Sequence, residues 1–130
     1  GIKQQFYSAY FSGPDYVEAG REVEGTILID VPGLTKANPK AAGLLNTYQS
    51  RYGKQPNYPY FAGAAYDAVY LLTSAVKSVG EDTDKIRDFL YSQKNYNGAI
   101  GSYGFDKNGD GVGITLALKK VEGGKVVEIK

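Results

Sequence analysis

The residue types that usually carry catalysis are scarce in this chain. Among its 130 residues there is no histidine and no cysteine, which excludes Ser-His-Asp and Cys-His catalysis, histidine-ligated metals and disulfides within it. Other hydrolytic chemistry would need paired carboxylates or a nucleophile beside a base. Asp30 and Asp67 are the two acids beside apolar sequence, one ending a strand and one in the first turns of a helix. Structural roles explain both. We therefore predict that the chain has no catalytic residue and that the protein is not an enzyme.

One segment resembles a metal-binding motif. The sequence DKNGDG at Asp106–Gly111 matches the first half of an EF-hand calcium loop. The twelfth position of such a loop is a bidentate glutamate, and here it is Ala117. We therefore predict a hairpin turn over Lys107–Gly111, with no bound metal and no cofactor. The glycine run at 98, 101 and 104 fits neither phosphate-loop spacing, and we interpret it as bends between strands.

Tyrosine is the more informative residue type, with twelve copies. One aromatic cluster spans residues 7–11, at the end of a predicted strand, and a second spans residues 58–61, just before a predicted helix. A tyrosine offers a large apolar face and one polar group, so such clusters suit the binding of small organic molecules. Ordinary packing at a wet edge is the alternative explanation.

The charges and the hydropathy of the chain indicate which classes of binding partner are not expected. Fifteen basic and fourteen acidic residues nearly balance and are spread along the chain, which gives no electrostatic reason to expect nucleic acid or an anionic membrane. No apolar run approaches the roughly 20 residues of a membrane span.

Strand and helix signals alternate through the first part of the chain. Ile2–Phe11 is rich in strand formers, Asp15–Gly20 could make a short helical turn, and Thr26–Ile29 is an apolar, β-branched run that predicts a strand buried on both faces. A helix should begin at Asn38–Pro39 and end at Gly53, because these are typical N-cap, first-turn and C′ residues.

Two further helices are predicted before the pattern changes. The strongest follows a proline-rich loop and ends at Gly80. A shorter one is capped by Asp82 or Thr83, with its apolar residues directed inward. One face of the strongest helix collects Ala65, Ala68, Val69, Leu72, Val76 and Val79; the inward residues of the shorter one are Ile86, Phe89 and Leu90.

The last third has the period of strands. Asn97–Gly98 is a turn signal, Tyr103–Asp106 and Val112–Val121 should flank the Lys107–Gly111 turn, and Glu122–Gly124 should lead into Lys125–Ile129. The order of elements predicts an α/β fold, a sheet with flanking helices and a C-terminal antiparallel hairpin region.

Four segments, in this order, resemble the branched-chain amino-acid-binding family of type I periplasmic solute-binding proteins that serve ABC importers. They are AGREVEGT at Ala19–Thr26, YQSRYGKQP at Tyr48–Pro56, AYDAVYLL at Ala65–Leu72 and NGAIGSYGFDKNG at Asn97–Gly109. Each motif is weak alone, but together they cover most of the chain.

The resemblance implies a fold of two α/β lobes around a ligand cleft, of which this chain is the C-terminal portion only. We expect residues 1–105 to be part of the second lobe and residues 106–130 to return through the hinge. The whole protein would then be an extracytoplasmic solute-binding component, periplasmic or extracellular, whose partners are a small-molecule ligand and an ABC permease. A ligand-sensing domain of the same fold, in a receptor or regulator, is the alternative.

The resemblance also implies ligand-binding residues. Ser8 and Tyr10 are carried over from the loop after the first strand, and Tyr60, Phe61 and Gly63 from the segment that enters the YDAV helix. Amino-acid-binding members place a carboxylate near the position of Tyr10, where this chain has none. An amino acid, an amide or an aromatic acid is the expected class of ligand, and the tyrosines favour the last two.

Overall fold

The computed structural model describes residues 4–9, 18–31 and 33–129. The chain divides into two units. The terminal unit combines residues 1–32 with residues 115–130, and the central unit spans residues 33–114.

The central unit begins with a helix whose ends are set locally. Helix α1 runs over Pro39–Tyr52, with proline in its first turn. The Asn38 side chain accepts hydrogen bonds from the backbone N–H groups of Lys40 and Ala41, and Gly53 closes the helix in the left-handed conformation. These are the predicted cap residues, so the predicted helix is confirmed.

Helix α2 covers Pro59–Val79 and helix α3 covers Thr83–Ser92. Asp82 is the N-cap of α3, because its carboxylate accepts from the N–H groups of Asp84 and Lys85. The face of α2 that is buried differs from the apolar face visible in the sequence. Val69, Leu72 and Val76 stay largely exposed; the buried residues are Gly63, Asp67, Leu71 and Ala75.

A three-stranded antiparallel sheet follows in the central unit. It consists of β3 (Tyr96–Gly98), β4 (Gly101–Phe105) and β5 (Gly111–Val112), in the order β3-β4-β5. The first hairpin pairs Gly98 with Gly101, so its turn is Ala99–Ile100, and the turn predicted at Asn97–Gly98 was wrong by two residues. Gly104 lies inside β4, where a side chain would meet the Lys94 carbonyl oxygen at 2.4 Å. It marks a close backbone approach, not the predicted bend.

The terminal unit holds a four-stranded sheet in the order β1-β2-β6-β7. Its strands are β1 (Tyr7–Ser8), β2 (Ile27–Asp30), β6 (Ala117–Glu122) and β7 (Lys125–Glu128), and a 3₁₀ turn covers Gly20–Val23. The first two strands are parallel, and the other pairs are antiparallel. The core of this sheet centres on Leu28 and Val121.

Two strand predictions need correction. Ile29 is 49% exposed, so β2 is not buried on both faces. Its buried residues are Leu28 and Asp30, which lie on one face of the strand. The predicted strand over Val112–Val121 is interrupted at residues 113–116, because β5 ends at Val112 and β6 begins at Ala117. Gly113 takes a positive φ of 99° there, which ends the extended conformation. Parts of the predicted strand at Ile2–Phe11 and of the helical turn at Asp15–Gly20 lie outside the described residues.

Candidate functional site

The first aromatic cluster is only partly described. Ser8 is the half-buried last residue of β1, in the terminal unit. Tyr10 lies outside the described residues. The ligand-binding role predicted for both therefore stays a prediction.

The second aromatic cluster opens helix α2 in the central unit. Tyr58 is the N-cap and makes no side-chain cap hydrogen bond, and Pro59 occupies the first turn. The Phe61 ring packs edge-on against Tyr58, with centroids 6.5 Å apart, and against Tyr60 at 5.9 Å. Phe61 is nevertheless 52% exposed. The start of the helix thus presents a group of mutually ordered aromatic rings to solvent, which is a surface suited to a planar or apolar ligand group.

Tyr60 adds a polar group to this aromatic surface. Partial burial raises the pKa of the Tyr60 phenol, because the charged form is the one that loses hydration. Its hydroxyl therefore stays protonated at neutral pH and can both donate and accept a hydrogen bond.

Gly63 follows one turn into the helix and is buried. A Cβ atom at this position would lie 2.9 Å from the Cγ2 atom of Ile100 and 3.0 Å from the Cδ2 atom of Leu34. The close packing of these two side chains is a sufficient reason for glycine here. Contact between Gly63 and a ligand stays a prediction.

An apolar groove of about 430 Å³ runs along α2 from Tyr60. Leu71 and Leu72 line its other end, and Ile100, Tyr103 and Leu90 contribute from the neighbouring elements. Ala68 and Leu72, which the sequence pattern had placed on the apolar face of this helix, line the groove.

The tyrosines behind the aromatic cluster hold their protons tightly. A hydrogen bond with Tyr70 is the main cause that raises the pKa of Tyr66 to about 12. Burial, and then the nearby charge of Asp67, raise the pKa of Tyr103. Phenols of this kind are hydrogen-bonding and packing groups, since none is shifted towards the phenolate that a base or nucleophile would need.

The acids singled out in the sequence make structural contacts. The Asp30 carboxylate accepts from the Lys119 ammonium at 2.8 Å in a partly buried ion pair, and Lys119 also donates to the Val31 carbonyl. Asp106 accepts from the backbone N–H groups of Asn108 and Asp110, which shapes the loop between β4 and β5. The described residues contain no group of three acidic side chains that could hold a metal ion.

Asp67 is the residue whose role the sequence did not reveal. Its carboxylate is fully buried and accepts from the backbone N–H groups of Ala99, at 2.7 Å, and Ile100, at 3.2 Å. The structural role predicted from its place in the first turns of a helix did not include this contact. The nearest signal was the glycine at position 98, whose Cβ atom would fall 2.2 Å from the Asp67 Oδ2 atom.

A family model described as periplasmic binding protein matches residues 1–125. The chain belongs to the periplasmic binding protein family. The resemblance found in the four motifs is thereby confirmed, and the predicted fold class, part of a type I periplasmic binding fold, is confirmed with it. Members of this family are binding proteins.

Solved structures agree with this assignment. A leucine-binding protein from Thermotoga maritima is 28% identical with a TM-score of 0.72, over 92% of this chain and 34% of its own. An ABC transporter substrate-binding protein from Desulfitobacterium hafniense is 25% identical with a TM-score of 0.75, over 99% of this chain and 37% of its own. A solute-binding protein from R. palustris, solved in complex with benzoate, has the same fold at 20% identity and a TM-score of 0.69, over 96% of this chain and 35% of its own.

This chain thus spans little more than a third of the length of these three proteins. A search of curated proteins gave no match. No helix in the described parts of the chain combines the length and the apolar character needed to cross a membrane.

Proposed function

We propose that the protein carrying this chain is the extracytoplasmic solute-binding component of an ABC importer, and that this chain forms part of one wall of its ligand cleft. The observation that supports it best is the exposed aromatic cluster of Tyr58, Tyr60 and Phe61, at the start of a helix in a periplasmic binding protein. Residues 1–105 would belong to the second lobe, and residues 106–130 would return through the hinge. The location would be periplasmic or extracellular.

In this proposal the protein works by closure of two lobes. A ligand that contacts both lobes stabilises the closed state, and the permease recognises that state. Ser8, Tyr10, Tyr60, Phe61 and Gly63 are the proposed ligand contacts from this chain. Aromatic rings would enclose an apolar or planar group, while the Tyr60 hydroxyl would orient its polar end.

An amide or an aromatic acid fits these side chains, and an amino acid stays in the proposed class. Two of the similar structures support this range, since one is a leucine-binding protein and another holds benzoate. A thermal-shift screen of the full-length protein with L-leucine, benzoate and benzamide tests the class directly. Stabilisation by at least one of them is expected, because a ligand that binds only the folded state raises the melting temperature.

The aromatic contact is tested by Tyr60→Ala in the full-length protein, with Tyr52→Ala as the matched control. Tyr52 is also an exposed aromatic residue on a helix. It is the last residue of α1, however, and it packs on Tyr48. Loss of Tyr60 should weaken binding of the stabilising compound by about 1 to 3 kcal/mol, measured by calorimetry, and loss of Tyr52 should leave it unchanged. Equal affinities for Tyr60→Ala and wild type, with a sharp fall in melting temperature, would make Tyr60 a packing residue.

A further inference from the structure

The Ala99–Ile100 turn is held from outside by two helices. Its two N–H groups donate to the Asp67 carboxylate of α2. The Asn38 side chain, at the start of α1, donates to the carbonyl oxygens of Gly98, at 2.8 Å, and Ala99, at 3.3 Å. Side chains from two helices thus bind both the donors and the acceptors of one turn.

The residues of this turn would not favour it by themselves. Alanine and isoleucine are not turn formers, and neither takes the positive φ that two-residue hairpin turns usually require. The turn is also buried, with Ala99 only 2% exposed, where unpaired N–H groups would be costly. The Asp67 carboxylate therefore fixes where this turn lies against α2.

Asp67 makes this contact without a cation. Among the described residues, no lysine or arginine forms an ion pair with it. Its charge is balanced by the N–H donors of the turn, and such charge-assisted hydrogen bonds are short and directional in a dry environment. The position of the turn is consequently sensitive to the side chain at residue 67.

The turn, in its place, sets the packing around the first turns of α2. Ile100 projects against Gly63, where its Cγ2 atom leaves no room for a side chain. Ile100 and Tyr60 also line the same apolar groove. Gly63 is two residues from Phe61 and three from Tyr60, so a shift of Ile100 would be felt at both aromatic residues.

We propose that Asp67 is a positioning residue of the ligand site, which holds the Ala99–Ile100 turn so that Ile100 fixes the first turns of α2 and the rings of Tyr60 and Phe61. This inference rests on the proposed function, since it concerns the same aromatic wall. Asp67 itself does not touch the ligand. It acts through the turn and through Ile100.

The test compares three variants of the full-length protein: Asp67→Asn, Ile100→Ala and Ala75→Gly. Asparagine keeps the size of residue 67 but turns an amide N–H towards a backbone N–H, so the turn loses at least one of its two bonds. Ile100→Ala leaves the Asp67 carboxylate intact and removes the contact on Gly63. Ala75→Gly is the matched control, since Ala75 is fully buried on the same face of α2 but does not line the groove, and glycine weakens the helix without breaking the turn.

Calorimetry with L-leucine, benzoate and benzamide, well below the melting temperatures, gives the affinities. Asp67→Asn and Ile100→Ala should each weaken binding about tenfold, which is about 1.4 kcal/mol. Ala75→Gly should lower the melting temperature yet bind within twofold of wild type. Amide hydrogen exchange at Ala99 and Ile100 should speed up in Asp67→Asn and not in Ala75→Gly.

Several results would overturn the inference. Wild-type affinity in Asp67→Asn or in Ile100→Ala would contradict the proposed role of the turn, and an equal loss of affinity in Ala75→Gly would mean that the effect is one of general stability. If Asp67→Asn does not fold, the affinity of Ile100→Ala tests the inference in its place. The proposed function fails separately: in that case wild type binds none of the three probes, or Tyr60→Ala has no effect, and the positioning role falls with it.

Discussion

Two β-hairpins in this chain turn within two residues, and both turns are bound by a carboxylate. Glu24 accepts from the N–H groups of Gly123 and Gly124 between β6 and β7, as Asp67 accepts from those of Ala99 and Ile100 between β3 and β4. The surroundings differ. Glu24 and its turn are exposed, whereas Asp67 is fully buried and Ala99 nearly so.

The residues of the two turns differ accordingly. Gly123 and Gly124 adopt φ angles of 60° and 71°, which glycine reaches at little cost, so this turn forms from its own sequence. Ala99 and Ile100 have no such preference, and the N–H and carbonyl groups of their turn are paired with Asp67 and Asn38. The same hydrogen-bonding arrangement is therefore an accessory in one hairpin and a requirement in the other, because an unpaired N–H group is costly only where water is excluded.

The largest effect should follow from Gly98→Ala. The new Cβ atom would lie 2.2 Å from the Asp67 Oδ2 atom and 2.9 Å from the Tyr103 ring, so either the carboxylate or the turn must move. We expect a loss of about 2 to 3 kcal/mol in the free energy of unfolding, measured by urea denaturation of the full-length protein.

Gly111→Ala is the control for this variant. Gly111 begins β5, and nothing lies within 4 Å of the position that its Cβ atom would take. Its substitution should change the free energy of unfolding by less than about 0.5 kcal/mol. Similar losses in the two variants would mean that the Asp67 contact does not constrain residue 98.

A smaller effect is expected from Asn38→Ala, compared with Asp82→Ala. Both residues cap a helix, but only Asn38 also binds the buried turn. Asp82→Ala should cost about 1 kcal/mol, the value of a cap, and Asn38→Ala about 2 kcal/mol, because a buried carbonyl oxygen also loses its donor. Equal costs from urea denaturation would show that the turn is stable without Asn38.

The smallest effect should come from Glu24→Gln. The Glu24 side chain and the Gly123–Gly124 turn are exposed, so water can replace the lost hydrogen bonds. We expect a change of at most about 0.5 kcal/mol in the free energy of unfolding. A cost as large as that of Gly98→Ala would contradict the distinction drawn between the two hairpins.

The sequence by itself determined the features that depend on neighbouring residues. Helix α1 begins and ends at the positions set by Asn38, Pro39 and Gly53. Helix α3 begins after Asp82, and the last hairpin turns at Gly123–Gly124. In each case the hydrogen bonds or the φ angles that decide the structure lie within a few residues of the signal. The four motifs also identified the family, since their order along the chain is a property of the sequence.

Tertiary structure decided the features that depend on distant residues. Asp67 and Ala99 are 32 positions apart, and their contact moved the turn away from Asn97–Gly98 and made Gly98 necessary. Gly63, Asp67 and Leu71 lie on the buried face of α2, where the apolar pattern favoured Val69 and Leu72. A buried carboxylate looks like a surface residue in the sequence, because only the folded chain brings it the N–H groups that replace its water.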